Sequence, residues 1–188
     1  MKSIVLNYRI TGDISRDRFH QILAGCYSSK YNVILNIYDF SISKNIESYL
    51  KSIEETTIKV SYIKRDFEEI ENSEQIITEN LIKYADSLAL CILPEINVLT
   101  EDCIDSIDFE WMNDPINGFI YFDYSVNGIR CFLRSKGPNI QLNVPVLFWS
   151  MSKLIKHISD KDKFGIITNN YTGIHIARNL CTVYQDDK

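Results

Sequence analysis

The sequence predicts an α/β or α+β fold, a mixed sheet flanked by helices. Three observations predict it. The first half alternates β-branched apolar runs with helical stripes in the order β-α-β-α-β-α-β. An Asn127-Gly128 pair between two apolar runs marks an antiparallel hairpin at about 119–135. Helical periodicity returns after Pro145, so C-terminal helices are expected.

The elements follow in order. Residues 3–9 (SIVLNYR) read as a strand, and Thr11-Gly12-Asp13 as a turn. Asp13 or Ser15 caps a helix to about residue 28, with Phe19, Ile22, Leu23 and Cys26 on one face. Residues 32–40 (NVILNIYDF) are strand-like. Ser41 or Ser43 then caps a short helix to about residue 53, striped by Ile42, Ile46, Tyr49, Leu50 and Ile53. Ile58, Val60 and Tyr62 alternate with polar neighbours, the pattern of a half-exposed strand over 56–66. Ser73 opens a longer helix to about residue 87, carrying Ile76, Ile77, Leu81 and Tyr84. Residues 88–93 (LALCIL) fit a buried strand or an extension of that helix.

After Pro94 the character changes. Thr100 caps a short acidic helix, with Glu101 and Asp102 in the first turn, where the helix dipole favours negative charge. Leu99, Cys103, Ile104, Ile107 and Trp111 form its apolar seam. Two-residue pairing across the hairpin groups Ile120, Phe122, Tyr124 and Val126 with Ile129, Cys131 and Leu133. The opposite face carries Phe119, Tyr121 and Asp123 beside Arg130, Phe132 and Arg134, and is expected to lie under a helix. A loop at 136–143 leads to a helix in VLFWSMSKLIKHIS, then a last strand at 164–168 and a last helix at 172–181.

A length of 188 residues suits one domain, 1–188, and no repeat or low-complexity linker divides it. The longest apolar runs are far too short to cross a bilayer and no leader is visible, so a cytoplasmic protein without a membrane partner is expected. The five cysteines show no C-x2-C spacing and read as reduced core residues.

Charge is uneven behind the net −5. Residues 84–129 hold nine acidic and no basic side chains, whereas residues 130–188 hold nine basic and four acidic ones. The cationic third either folds back on the anionic segment or leaves an exposed anionic surface, which repels nucleic acid and attracts a basic protein. Residues 99–115 alone carry Glu101, Asp102, Asp105, Asp108, Glu110 and Asp114.

Catalytic motifs are scarce. The chain contains no Walker phosphate loop, dinucleotide glycine motif or nucleophile elbow, and its three histidines share no ligand spacing. No cofactor and no metal are expected. Asp102, Asp105 and Asp108 recur every three residues but fail the calcium-loop pattern. Ser150-Met151-Ser152-Lys153 matches S-x-x-K, a pattern short enough to arise by chance. Residues 169–175 (NNYTGIH) form a polar loop after an expected strand, a common ligand position, and His175 with Cys181 is a poorly registered nucleophile pair.

The resulting expectation is a cytosolic inhibitor that occludes a basic protein, most concretely an immunity protein that neutralises a basic, nuclease-type toxin. Asp102, Asp105, Asp108, Glu110, Asp114 and Asp123 would meet the partner's cations, and Trp111, Phe109 and Tyr121 would anchor the interface. The alternative is a small transferase-like enzyme with its site near the 169–175 loop.

Overall fold

The computed structural model describes residues 2–43, 45–51, 58–79, 81–131 and 145–185. The chain opens with β1 (Ser3–Ile10), α1 (Arg16–Gly25), β2 (Asn32–Asp39), α2 (Asn45–Lys51) and β3 (Lys59–Lys64). It continues through α3 (Ser73–Thr78), β4 (Ala89–Pro94), β5 (Asn97–Leu99), β6 (Asn117–Val126) and β7 (Ile129–Cys131). It closes with β8 (Phe148–Ser150), α4 (Met151–Lys156), α5 (Lys163–Asn170) and β9 (Thr172–Val183).

One mixed sheet of nine strands holds these elements, in the order β3-β2-β1-β4-β8-β6-β9-β5, with β7 paired to β6. The first four strands are parallel. β8 then runs antiparallel to both β4 and β6, β9 is parallel to β6, and β5 is antiparallel to β9. The fold is therefore α/β with a mixed sheet, as the residue pattern predicts. β1 reads as a near-continuous apolar run because helices or turns cover both of its faces. Ile4, Leu6 and Tyr8 pack with Phe19, Ile22 and Leu23 of α1. Val5 packs on the other side with Leu90, Phe119, Tyr121, Met151, Leu154 and Ile167, beneath α4 and α5.

Local signals account for the early elements. Ser15 caps α1 by accepting from the Arg18 amide at 3.2 Å. Asn127 and Gly128 both take positive φ, 46° and 85°, as a type I′ hairpin turn requires. Tyr124 pairs with Cys131 and Val126 with Ile129, the expected register. Phe119 and Tyr121 do lie under helices, whereas Phe132, Leu133 and Arg134 fall outside the described residues.

Five expectations are corrected. The helix expected in VLFWSMSKLIKHIS starts only at Met151, because Phe148–Ser150 pair as strand β8 between β4 and β6. The helix over 73–87 is broken: α3 is flanked by 3-10 turns at Phe67–Asn72 and Leu81–Tyr84, and LALCIL is strand β4. The acidic helix after Thr100 shrinks to 3-10 turns at Ile104–Ser106 and Phe109–Asn113, in which Phe109 and Met112 are buried and Trp111 is 45% exposed. Residues 164–168 lie in α5, because Asp162 caps it by accepting from the Gly165 amide at 3.0 Å. Residues 172–181 are strand, not helix. β9 pairs with β6 along nearly its whole length, and that non-local ladder overrides the local pattern. Two register shifts around Asp123 break the period-two alternation, so the strand is not readable as one.

Among the described residues no helix is long and apolar enough to cross a membrane.

Candidate functional site

Strand order places the first candidate site. β2 and β3 lie on one side of β1 and β4 on the other, so the order reverses between β1 and β4. The loops leaving the two carboxyl ends diverge there and leave a crevice. A cleft of about 250 Å³ opens beside this point. Arg9 and Glu74 are its charged lining, and Ile92, Pro94, Trp149 and Phe164 are among its apolar lining. The volume is slightly below the usual range for small-molecule pockets. Trp149 and Phe164 pack at 4.9 Å between ring centroids, which keeps the wall rigid. Arg9 is held by a 3.2 Å hydrogen bond from Nη1 to Ser73 Oγ.

Two carboxylates shape this edge. Glu95, just beyond β4, accepts through Oε1 from Thr11 N at 3.2 Å, Thr11 Oγ1 at 2.7 Å and Gly12 N at 3.2 Å. It ties the β4 loop to the β1 loop. Asp39, at the end of β2, is fully buried. It accepts from Ser41 N at 2.9 Å, Ser41 Oγ at 2.5 Å and Tyr62 Oη at 2.7 Å, and it pairs with Lys64 Nζ at 3.1 Å. Burial, then the bond to Asp39, pushes the Tyr62 phenol up. Beside them, Arg65 Nε and Ser43 Oγ are buried donors without a hydrogen-bond partner among the described residues. Lys64 is paired with Asp39 and Arg65 lies 4.0 Å from Glu69, so Arg9 is the cation that the cleft itself presents among the described residues.

A second cluster lies farther along the same face. His175 on β9 meets Asp123 on β6, Nε2 to Oδ1, at 2.9 Å. Asp123 is 2% exposed. The Tyr121 ring stacks on the imidazole at 5.0 Å with 13° between planes. Sequence reasoning placed Tyr121 and Asp123 on a binding surface and His175 in a separate loop; the parallel β6–β9 ladder brings all three together.

The acids of 101–114 are largely engaged within the chain. Asp102 pairs with Arg178 at 2.9 Å and accepts from Thr100 Oγ1 at 2.8 Å. Thr100 is the main cause that holds its carboxyl below the ordinary range. Asp105 accepts from Ser28 Oγ, from Ser29 N at 3.0 Å and from Ser29 Oγ at 2.6 Å. Partial burial works to raise its pKa, but these donors prevail and hold it at about 2. Asp108 caps the Phe109–Asn113 turn through Glu110 N at 3.1 Å. Glu110 pairs with Lys2 at 2.6 Å, and Asp114 accepts from Ile116 N at 2.8 Å.

The S-x-x-K residues and Cys181 have structural roles. Lys153 Nζ, nearly buried, donates to the carbonyls of Met112 at 3.3 Å and Asp114 at 2.8 Å, and Ser150 Oγ donates to the same Met112 carbonyl at 3.3 Å. Burial pulls the Lys153 pKa down. Cys181 is buried in the core that contains α1, away from Tyr121, and burial pushes its thiol up to about 12, so it is no nucleophile. No cluster of three metal-ligating side chains occurs among the described residues.

Sequence reasoning missed Arg9, Asp39 and Glu95. The β-α-β order marks the carboxyl ends of successive strands as the place to look, and all three residues stand there.

No family model and no curated protein matches the chain. Solved structures of S. aureus TarS do. The structure of TarS 1–349 in complex with UDP-GlcNAc matches 100% of this chain and 60% of its own length, at 11% identity and a TM-score of 0.66. TarS 1–349 alone matches 98% of this chain and 60% of its own length, at 10% identity and a TM-score of 0.64. The longer TarS structure matches 98% of this chain at 10% identity and a TM-score of 0.63, and there this chain spans 37% of the length. The chain therefore covers three fifths or less of these proteins, and at such identity the likeness is one of fold.

Proposed function

We propose that this chain binds a nucleotide-activated sugar at the carboxyl edge of β1, β2 and β4 and transfers the sugar to an acceptor. The observation that carries this reading is the crevice between β1 and β4, set in a fold shared over the whole chain with TarS, a glycosyltransferase captured with UDP-GlcNAc. The edge chemistry supports it. A nucleoside diphosphate carries a flat base and a compact double anion. The Trp149–Phe164 wall offers apolar aromatic surface, and Arg9 offers positive charge.

The expected result is saturable binding of UDP-GlcNAc and UDP to the full chain by titration calorimetry. Arg9→Ala should weaken it at least tenfold, about 1.4 kcal/mol. Absence of heat from either ligand at millimolar concentration defeats the reading.

Capture of a basic protein by the 101–114 acids is a second reading, favoured by Trp111 and Ile116, which are 45% and 64% exposed. It has less support, because Asp102, Asp105, Asp108, Glu110 and Asp114 already have partners in their own chain.

A further inference from the structure

We propose that His175 is the base that takes the proton of the acceptor hydroxyl, and that Asp123 is the residue that positions it; this rests on the transferase reading above. Four observations place the pair in that role. Asp123 is buried, and it presents Oδ1 to His175 Nε2 at 2.9 Å. In the neutral imidazole Nε2 then carries the proton that the carboxylate accepts, and Nδ1 keeps its lone pair. No hydrogen bond to Nδ1 occurs among the described residues, and the His175 side chain is 20% exposed. The Tyr121 ring, stacked on the imidazole, fixes the plane in which that lone pair points.

Strand alternation makes this geometry, and a bulge on β9 follows it. Tyr121 pairs with His175, but Asp123 pairs with Asn179, so the ladder skips around the carboxylate. The extra residues lie on β9, so Asp123 keeps its alternation with Tyr121 on β6 and faces His175 diagonally.

Location completes the argument. Tyr121 belongs to the same core as Trp149 and Phe164 of the cleft wall. Trp149, Phe119 and Gly173 lie in register across β8, β6 and β9. His175 is two strands across and two residues along from Trp149, roughly 12 Å at standard strand spacings. A donor seated in the cleft and extended along the edge spans such a distance. In the step itself, the acceptor oxygen forms a bond to the anomeric carbon as the bond from that carbon to the phosphate oxygen breaks. The leaving electron pair stays on the diphosphate, and the acceptor's proton moves to His175 Nδ1. The imidazolium that results is stabilised by Asp123.

A histidine that merely ties β9 to β6 predicts a different set of results. The assay is release of UDP from UDP-GlcNAc by the full chain, with water as acceptor. His175→Gln should lower kcat at least 100-fold while KM, and the calorimetric Kd for UDP-GlcNAc, change by less than threefold. Free imidazole should restore part of the rate to His175→Ala. Asp123→Asn should lower kcat at least tenfold at unchanged KM, with no rescue by imidazole. Unchanged kcat in His175→Gln with donor binding intact overturns the dyad and leaves the transferase reading standing. A wild-type chain that binds UDP-GlcNAc but never releases UDP overturns it equally. A wild-type chain that binds no donor brings down both proposals.

Discussion

The acids of 101–114 and the three carboxylates at Asp39, Glu95 and Asp123 make a useful pair of opposites. The first group is dense, mostly exposed and conspicuous in the sequence. Its members accept from serines, cap single turns or pair with exposed Lys2 and Arg178, whose ion pairs lie about half in solvent. The second group is sparse, each member standing within or just after an apolar strand. Yet Asp39 gathers three hydrogen bonds and an ion pair at full burial, Glu95 clamps two loops, and Asp123 orients a histidine. Electrostatic leverage follows burial and not density, because water screens an exposed charge and a buried one must find every partner in the protein.

Removing members of each group tests that contrast. Asp39→Ala should have the largest effect, about 3 kcal/mol of stability by urea midpoint, since it strands the Tyr62 hydroxyl and the Ser41 donors and unpairs Lys64. A loss below about 1 kcal/mol would erase the distinction between the groups.

Asp105 should come next, and its effect should depend on pH. Its folded pKa, about 2, lies below the ordinary carboxylate value near 3.9. The stabilisation is therefore fully present above about pH 4 and is lost as pH falls through about 2. Melting of wild type and Asp105→Asn should differ at pH 6 by less than about 1 kcal/mol, given solvent screening, and should converge near pH 2. Parallel pH profiles would show that the serine donors do not favour the charged form.

The smallest effect is expected for the Asp102–Arg178 pair, with side chains 57% and 56% exposed. A double-mutant cycle should give a coupling below about 0.5 kcal/mol that vanishes in 1 M salt. A larger, salt-resistant coupling would mean that this surface pair behaves like a buried one.

How much was legible divides along the same line. β1, α1, β2 and the hairpin announce themselves, because each is specified by neighbours within one strand or turn: Ser15 at the α1 cap, Asn127-Gly128 at the turn, alternation in β6. The division of β6 into a Phe122 face and a Tyr121 face was readable for the same reason. β9 was not, because its apolar positions Ile174, Ile176, Leu180 and Cys181 fall out of step across the bulge. The candidate site was half legible. Tyr121, Asp123 and His175 stood out as residues, but only pairing over more than 50 positions joins them. Arg9, Asp39 and Glu95 carry no local signal, since a single charged residue at a strand end looks like any other edge of an apolar run.

By itself the amino-acid sequence determined which segments carry apolar periodicity, where turns and caps fall, and which side chains share a strand face. Those depend on interactions a few residues long, which composition and spacing encode directly. Only the tertiary structure decided that β4 crosses to the far side of β1, that residues 172–183 join the sheet, and that His175 meets Asp123. Each of these is a choice among distant partners, settled by which pairing buries the most apolar surface while leaving few buried polar groups unanswered.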